Sequence, residues 1–208
     1  MGYPFAKRVL DESIAIVLLV ALSPVFVLLF VAMGLDMAFA KDDRGPWLYR
    51  ERRISRGREF DLLKFRTLRR NALERMTGES HIRLLEADTA NLTWAGRRML
   101  KPWYLDELPQ LWNVVRGDMS LVGPRPWPPS MVAMQAAQGL TYRNEFVAGW
   151  TGPAQVQKGA TETSGYAELD LAYVETVRAG GPARLLRLDL LILWRTVRVL
   201  ARGEGLQF

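Results

Sequence analysis

Residues 13–35 (SIAIVLLVALSPVFVLLFVAMGL) carry no charge, and an apolar run of that length is sufficient to cross a hydrocarbon layer of about 30 Å. This run governs everything else the chain can do. It exceeds the roughly 7–15 apolar residues of a secretory signal and precedes no small-residue cleavage site, so a cleaved leader fits less well than a retained membrane element. Ser23-Pro24 stands at its middle. Proline removes a helical N–H and clashes with the carbonyl four residues back, so the helix must bend there, and the serine hydroxyl can satisfy part of the freed backbone. A bent spanning helix and a re-entrant helical hairpin both satisfy these conditions. Lys7 and Arg8 precede the run while Lys41, Arg44, Arg50, Arg52 and Arg53 follow it; positive charge on both flanks is compatible with both ends on the cytoplasmic face.

Of 208 residues, this leaves residues 1–40 as the membrane element and 41–208 as one small membrane-associated globular domain, and it excludes two large domains. There is no Cys and a single His, His81. Disulfide frameworks, thiolate zinc sites and cysteine nucleophiles are thereby excluded, a histidine-based triad has only His81 to draw on and is disfavoured, and any metal must be held by oxygen. A net charge of +6 with a pI near 9.9 favours an anionic partner, whether nucleic acid, lipid headgroup or phosphorylated substrate. No Gly-x-x-x-x-Gly-Lys-Ser/Thr and no strand-linked Gly-x-Gly-x-x-Gly occurs, which leaves P-loop and dinucleotide readings without support.

Along the globular part, Arg56-Gly57-Arg58 predicts a turn between strands over residues 47–53 and 59–63, with Lys64-Phe65-Arg66-Thr67 following directly. Helical spacing runs over residues 71–88, interrupted at Thr77-Gly78, and again over residues 105–116, punctuated by Pro102 and Pro109. The proline-rich segment at residues 123–129 predicts a loop, ordered or not. Residues 183–202 interleave Leu185, Leu188, Leu191, Trp194 and Val197 with Arg184, Arg187, Arg195, Arg198 and Arg202. This is a basic amphipathic helix, suited either to the headgroup layer or to packing on the core with a solvated basic face. The expected fold class is α+β and α-rich, with interfacial amphipathic helices.

The residues with chemistry to offer are few. Asp106-Glu107 is a carboxylate pair near Lys101, the kind of oxygen set that holds Mg2+ together with substrate phosphates. Lys64, Arg66, Lys101 and Arg125 all lie where turn or loop character would fix a cation for a phosphate. Arg125 is the best placed, because Pro124 and Pro126 restrict its loop and reduce the entropy lost in positioning it.

Lys7-Arg8-Val9-Leu10-Asp11, Ser23-Pro24, Lys64-Phe65-Arg66-Thr67 and the block LDELPQLWNVVRGDMSLVGPRP at residues 105–126 together resemble the bacterial sugar transferases that act as monotopic polyprenyl-phosphate phosphoglycosyl transferases. Weaker similarity continues through residues 151–156, 169–175 and 188–190, so the resemblance covers nearly the whole chain in the family's order. It implies a membrane enzyme that moves a sugar-1-phosphate from a nucleotide-sugar donor, commonly a UDP-sugar, to undecaprenyl phosphate with release of UMP, a first membrane step of glycoconjugate synthesis. In that family the Asp of the dyad is the nucleophile and forms a covalent phosphosugar intermediate, which maps to Asp106 with Glu107 as its partner. The motif also implies Lys64 and Arg125 beside the phosphates, Mg2+ as cofactor, and a re-entrant helix broken at Ser23-Pro24 on the cytoplasmic face of the inner membrane. Lys101 stands where the family usually has Arg, keeping the charge and losing the fork. Leu68, Ala148 and Gln157-Lys158 also depart from the family pattern, so the sugar is not carried over.

Two rival readings bracket this one: a membrane-anchored protein that binds anionic lipid or an assembly partner without chemistry, and a family member that binds substrate without turnover. A nucleic-acid partner explains neither the Ser-Pro break nor the acidic dyad. A homodimer is compatible with the chain, although no segment reads as its interface.

Overall fold

The computed structural model describes residues 4–75, 82–156 and 163–201. Two helices, α1 (Phe5–Ala21) and α2 (Ser23–Phe39), take up the uncharged run and meet at a bend of 58°. No single described helix is long and apolar enough to cross a membrane; the bent pair passes that test only together. The break falls at Leu22, and Pro24 lies in the first turn of α2, where a missing N–H costs no hydrogen bond. Proline therefore starts the second helix here, where the sequence predicted a break inside one.

Beyond a single 3-10 turn, β1 (Leu48–Ser55) and β2 (Arg58–Phe65) form an antiparallel hairpin. Its two-residue loop, Arg56-Gly57, has both φ angles positive, the mirror-image turn whose twist matches a hairpin. β1 is one residue longer than the sequence predicted and β2 three residues longer. Short helices α3 (Arg70–Glu74) and α4 (Ile82–Glu86) follow; Thr77-Gly78 and His81 lie outside the described residues.

The helix expected over residues 105–116 is a 3-10 turn at Leu105–Glu107 followed by α5 (Gln110–Val115), since Pro109 lacks the N–H a continuous helix needs. The dyad thus sits in the turn. A parallel pair that the sequence did not predict, β3 (Ser120–Val122) and β4 (Gly149–Thr151), flanks α6 (Pro129–Ala137) and α7 (Tyr142–Glu145). After β4 come α8 (Pro153–Val156) and α9 (Thr163–Ala201). α9 is broken at Gly181, whose φ of 67° only glycine adopts freely, with Pro182 next. Gln157-Lys158 and Arg202 lie outside the described residues.

The main core joins α1, β3, α5, α7 and both halves of α9 through Ala15, Leu111, Val114, Leu121, Tyr142, Val174 and Ile192. A second packs α2 against the dyad segment through Leu29, Met33, Phe65, Ala95, Leu100 and Leu108. Both membrane-run helices therefore help to hold the site. Their remaining faces expose Val17, Val20, Val27, Leu28, Val31 and Leu35. α9 packs on the core by one stripe and leaves another uncovered: Leu185 and Ile192 are buried, whereas Leu190, Leu191, Trp194 and Val197 are exposed beside exposed Arg187, Arg195 and Arg198.

Charges on the buried stripes lock these elements together. Lys7 Nζ on α1 meets Asp11 at 2.7 Å, Ser120 Oγ on β3 at 2.9 Å and Asp189 on α9 at 2.9 Å, and Asp189 accepts from the Tyr173 hydroxyl. Buried charge is tolerated only when paired and hydrogen-bonded in this way.

Candidate active site

Lys64 reaches the site because α5 fixes β2. The Asn113 side chain, fully buried, accepts from Leu63 N at 3.0 Å and donates to the Asp61 carbonyl at 2.8 Å. A single carboxamide thereby imitates a neighbouring strand and sets the register of the residue before Lys64. On the other side, Asp36 of α2 accepts from Ala95 N at 2.7 Å, tying the second membrane-run helix to the segment that leads into the dyad. Immediately before the dyad, Tyr104 holds a left-handed backbone (φ 53°), a conformation that costs a non-glycine residue about 1–2 kcal/mol and persists only where the surroundings impose it.

Asp106 is 2% exposed. Its Oδ2 accepts from Lys101 Nζ at 2.9 Å, while its Oδ1 is buried with no hydrogen-bond partner among the described residues. Burial pushes its pKa from 3.8 up to about 6; Lys101 and Lys64 oppose the rise and neighbouring Glu107 adds to it. Lys101 Nζ also meets Glu86 Oε1 at 2.7 Å, and those two carboxylates outweigh desolvation to raise the lysine's own pKa. Glu107 Oε1 lies 3.7 Å from Lys64 Nζ and 3.8 Å from Arg125 Nη2. Lys64 is 3.5 Å from Glu51, whose other oxygen is hydrogen-bonded by Arg53. Burial would raise Glu51, but Lys64 and Arg53 prevail and hold its pKa low.

Of the residues predicted from sequence, Asp106, Glu107, Lys64, Lys101 and Arg125 thus converge. Arg66 does not join them: at 2% exposure its guanidinium donates to the carbonyls of Pro46 (2.8 Å), Leu68 (2.7 Å) and Asp43, where it ties α2's exit to the end of the hairpin. Ser23 and Pro24 stand at the bend described above.

The proline-rich segment is an ordered loop with a built anchor. Arg143 donates to the Arg125 carbonyl, to Gln135 at 3.0 Å and to Asp170 at 2.7 Å, and it lies over the Trp127 ring at 4.3 Å. Asp170 in turn accepts from the Arg125 backbone N–H, and burial raises its pKa to about 6 against the pull of Arg143. Backbone contacts close the loop: Gly123 N donates to Thr151 O and Gly149 N to Pro124 O. A Cβ on Gly149 would stand 2.1 Å from Gly123 N, so only glycine permits this approach. Glu86, Glu51, Arg53, Arg143 and Asp170 were all missed in sequence. Asp170 left a trace, an acid on the stripe of Ala167, Val174 and Val177 that is otherwise apolar and buried.

No group of three or more His, Cys, Asp or Glu among the described residues forms a closed metal cage. The dyad's chemistry nevertheless suits Mg2+, which takes one or two carboxylates and leaves its other positions to phosphate and water; Glu107, with Asp106, would hold such an ion.

A family model described as bacterial sugar transferase matches residues 2–203. The UDP-N-acetylgalactosamine-undecaprenyl-phosphate N-acetylgalactosaminephosphotransferase of Aeromonas hydrophila is 30% identical over 211 residues, covering 98% of this chain and 45% of that protein. The UDP-glucose:undecaprenyl-phosphate glucose-1-phosphate transferase of Caulobacter vibrioides is 34% identical over 201 residues, covering 94% and 67%. An uncharacterized sugar transferase of Bacillus subtilis is 34% identical over 206 residues, covering 97% and 90%. The chain therefore spans less than half of the Aeromonas relative and nearly all of the Bacillus one.

Proposed function

The chain belongs to the bacterial sugar transferase family, and on that premise we propose that it transfers a sugar-1-phosphate from a UDP-sugar to undecaprenyl phosphate. Similarity to relatives named for transfer to undecaprenyl phosphate supports the acceptor, and their printed UDP-sugar names support the donor. The observation that carries the reading is the buried Asp106 carboxylate, with one oxygen held by Lys101 and the other unpaired, next to Glu107, which cations from β2 and the proline loop approach.

In the first half-reaction the unpaired oxygen of Asp106 attacks the phosphorus that bears the sugar. The bond from that phosphorus to the bridging oxygen breaks, and UMP leaves with the electron pair. In the second, an oxygen of undecaprenyl phosphate attacks the same phosphorus and the Asp106–phosphorus bond breaks, restoring the carboxylate and forming the lipid-linked diphosphate sugar. No net proton is required. Lys64 and Arg125 neutralise the donor's phosphates, and Lys101 holds the nucleophile by its other oxygen. Burial of Asp106 strips its carboxylate of water, which strengthens it as a nucleophile. Mg2+ held by Asp106 and Glu107 would supply positive charge to the diphosphate.

Both substrates can use one small site in turn, because the covalent step separates a soluble donor from a lipid acceptor. Residues 1–40 are read as a re-entrant hairpin with both ends on the cytoplasmic face of the inner membrane, and 41–208 as the catalytic domain. The exposed apolar faces of α1 and α2 and the exposed stripe of α9 support this seating.

The test is UMP release by purified protein from a panel of UDP-sugars with Mg2+, with and without undecaprenyl phosphate, followed by intact-mass analysis. Lipid-stimulated UMP release with a phosphosugar adduct that disappears in Asp106→Asn is the expected result. Substantial turnover by Asp106→Asn would remove this residue as nucleophile, and silence with every donor would return the chain to the binding-protein reading.

A further inference from the structure

Glu86 lies outside every motif that carries the family resemblance, yet its carboxylate is built into the site. Oε1 meets Lys101 Nζ at 2.7 Å and accepts the Thr67 hydroxyl at 2.7 Å, and the same Lys101 Nζ donates to Asp106 Oδ2 at 2.9 Å. Thr67, Glu86, Lys101 and Asp106 thus form one chain of contacts running from the end of the hairpin, through α4, to the nucleophile. A lysine is a point charge on a flexible four-carbon stem, without the planar fork that lets an arginine grip two anions in a fixed geometry. The contact with Asp106 fixes its ammonium at one point and the contact with Glu86 at a second.

The second point gains weight as the chemistry proceeds. When Asp106 is bonded to phosphorus its carboxylate charge is gone, and the Lys101–Asp106 contact loses its anion. Glu86 makes and breaks no bonds, so its charge persists. We propose that Glu86, itself fixed by Thr67, is the positioning residue that keeps the Lys101 ammonium beside the reacting phosphoryl group through both half-reactions. The inference rests on the reading of Asp106 as nucleophile.

The full chain in detergent with Mg2+, a UDP-sugar and undecaprenyl phosphate is compared with Glu86→Gln, Lys101→Met and the double variant. Glu86→Gln is expected to lower kcat about tenfold or more while the donor KM stays within about threefold. In the Lys101→Met background it is expected to cost nothing further, because a residue that acts through Lys101 has nothing left to act on. A purely structural Glu86 would instead multiply its loss onto that of Lys101→Met. Should Glu86→Gln lose its cooperative melt, Thr67→Val carries the test, with a smaller fall in kcat that also vanishes in the Lys101→Met background. A kcat for Glu86→Gln within about twofold of wild type, or losses that multiply in the double variant, overturns the proposal. If wild type turns over no donor, that failure belongs to the functional reading. Positioning is then read from acylation of the Lys101 amine by mass spectrometry, expected to rise several-fold in Glu86→Gln; unchanged acylation overturns it.

Discussion

Asp106→Asn is expected to abolish turnover and, under the right conditions, to make the protein harder to unfold. The magnitude follows from burial. Asp106 binds its proton more tightly in the folded chain, where its pKa is about 6, than in the unfolded chain, where it returns to 3.8. Stability is therefore unaffected below the lower value, falls as pH rises between the two, and stays reduced above about 6. A difference of about 2 units corresponds to ~3 kcal/mol at 1.36 kcal/mol per unit. The amide of asparagine has no charge to desolvate and nearly the same shape, and Lys101 keeps Glu86 as its partner, so most of that penalty is recovered. For a chain of this length ~3 kcal/mol moves the unfolding midpoint by roughly 5–10 °C.

Tryptophan fluorescence follows the melt directly, since the chain has 7 Trp. The comparison is made in detergent with a chelator present, so that no bound cation adds its own stabilisation. Near pH 8 the variant should melt later than wild type, and near pH 4 the two should coincide. A gain of equal size at both pH values would show that the carboxylate's charge is not the cause. A loss near pH 8 would show that the Lys101 contact outweighs desolvation, contrary to the direction argued for Asp106.

Three further outcomes follow from the scaffold. Asn113→Ala strands Leu63 N and the Asp61 carbonyl inside the protein; it should cost ~2–4 kcal/mol in denaturant titration and lower turnover through misplacement of Lys64. Gly149→Ala should give no folded protein on size exclusion, because its Cβ would stand 2.1 Å from Gly123 N and 2.3 Å from Thr151 O. Single cysteines introduced at Gly2 and Arg44, in a chain with no native Cys, should both react only with a reagent on the cytoplasmic side; labelling of Gly2 from the periplasm would exclude the re-entrant seating.

Much of this was legible where chemistry is local. Two residues with positive φ at a hairpin tip announce themselves as Arg56-Gly57, and the Ser-Pro pair marked the bend within about one residue. Arg66 shows where local reading runs out. It stands two residues from Lys64, so a continuing strand would put both on one face, but β2 ends at Phe65; the alternation stops and Arg66 turns to the carbonyls of Asp43, Pro46 and Leu68. The strands β3 and β4 have three residues each, too few for a pattern, and they pair across 29 positions of chain (Ser120 with Gly149). Glu51 and Glu86 left no mark because an acid in a short strand or a short helix looks solvated until the fold brings a lysine to it. Buried charges on helices are different. Lys7, Asp11 and Ala15 fall at intervals of four on α1, and Leu185, Asp189 and Ile192 occupy one stripe of α9; a charge in a stripe that must be buried signals a partner elsewhere in the chain.

The distances within the site divide its cations by task. Lys101 is held at 2.7 and 2.9 Å by two carboxylates, whereas Lys64 stands 3.5 and 3.7 Å from its acids and Arg125 stands 3.8 Å from Glu107. A hydrogen bond weakens as the contact lengthens and is gone beyond about 3.5 Å, so less is lost when Lys64 or Arg125 turns to a phosphate oxygen than when Lys101 does. On the proposed function, Lys64 and Arg125 would follow the donor and Lys101 would stay. Lys64→Met and Arg125→Met should act mainly by raising the donor KM, about tenfold or more, because they remove charge that the bound diphosphate recruits. Lys101→Met should act mainly on kcat, with a donor KM close to wild type, because its partner Asp106 is the proposed nucleophile. Steady-state kinetics at varied UDP-sugar would separate the two classes. If all three variants lost kcat and KM in the same proportion, the difference in contact distance would carry no functional meaning, and the cluster would have to be treated as one electrostatic unit.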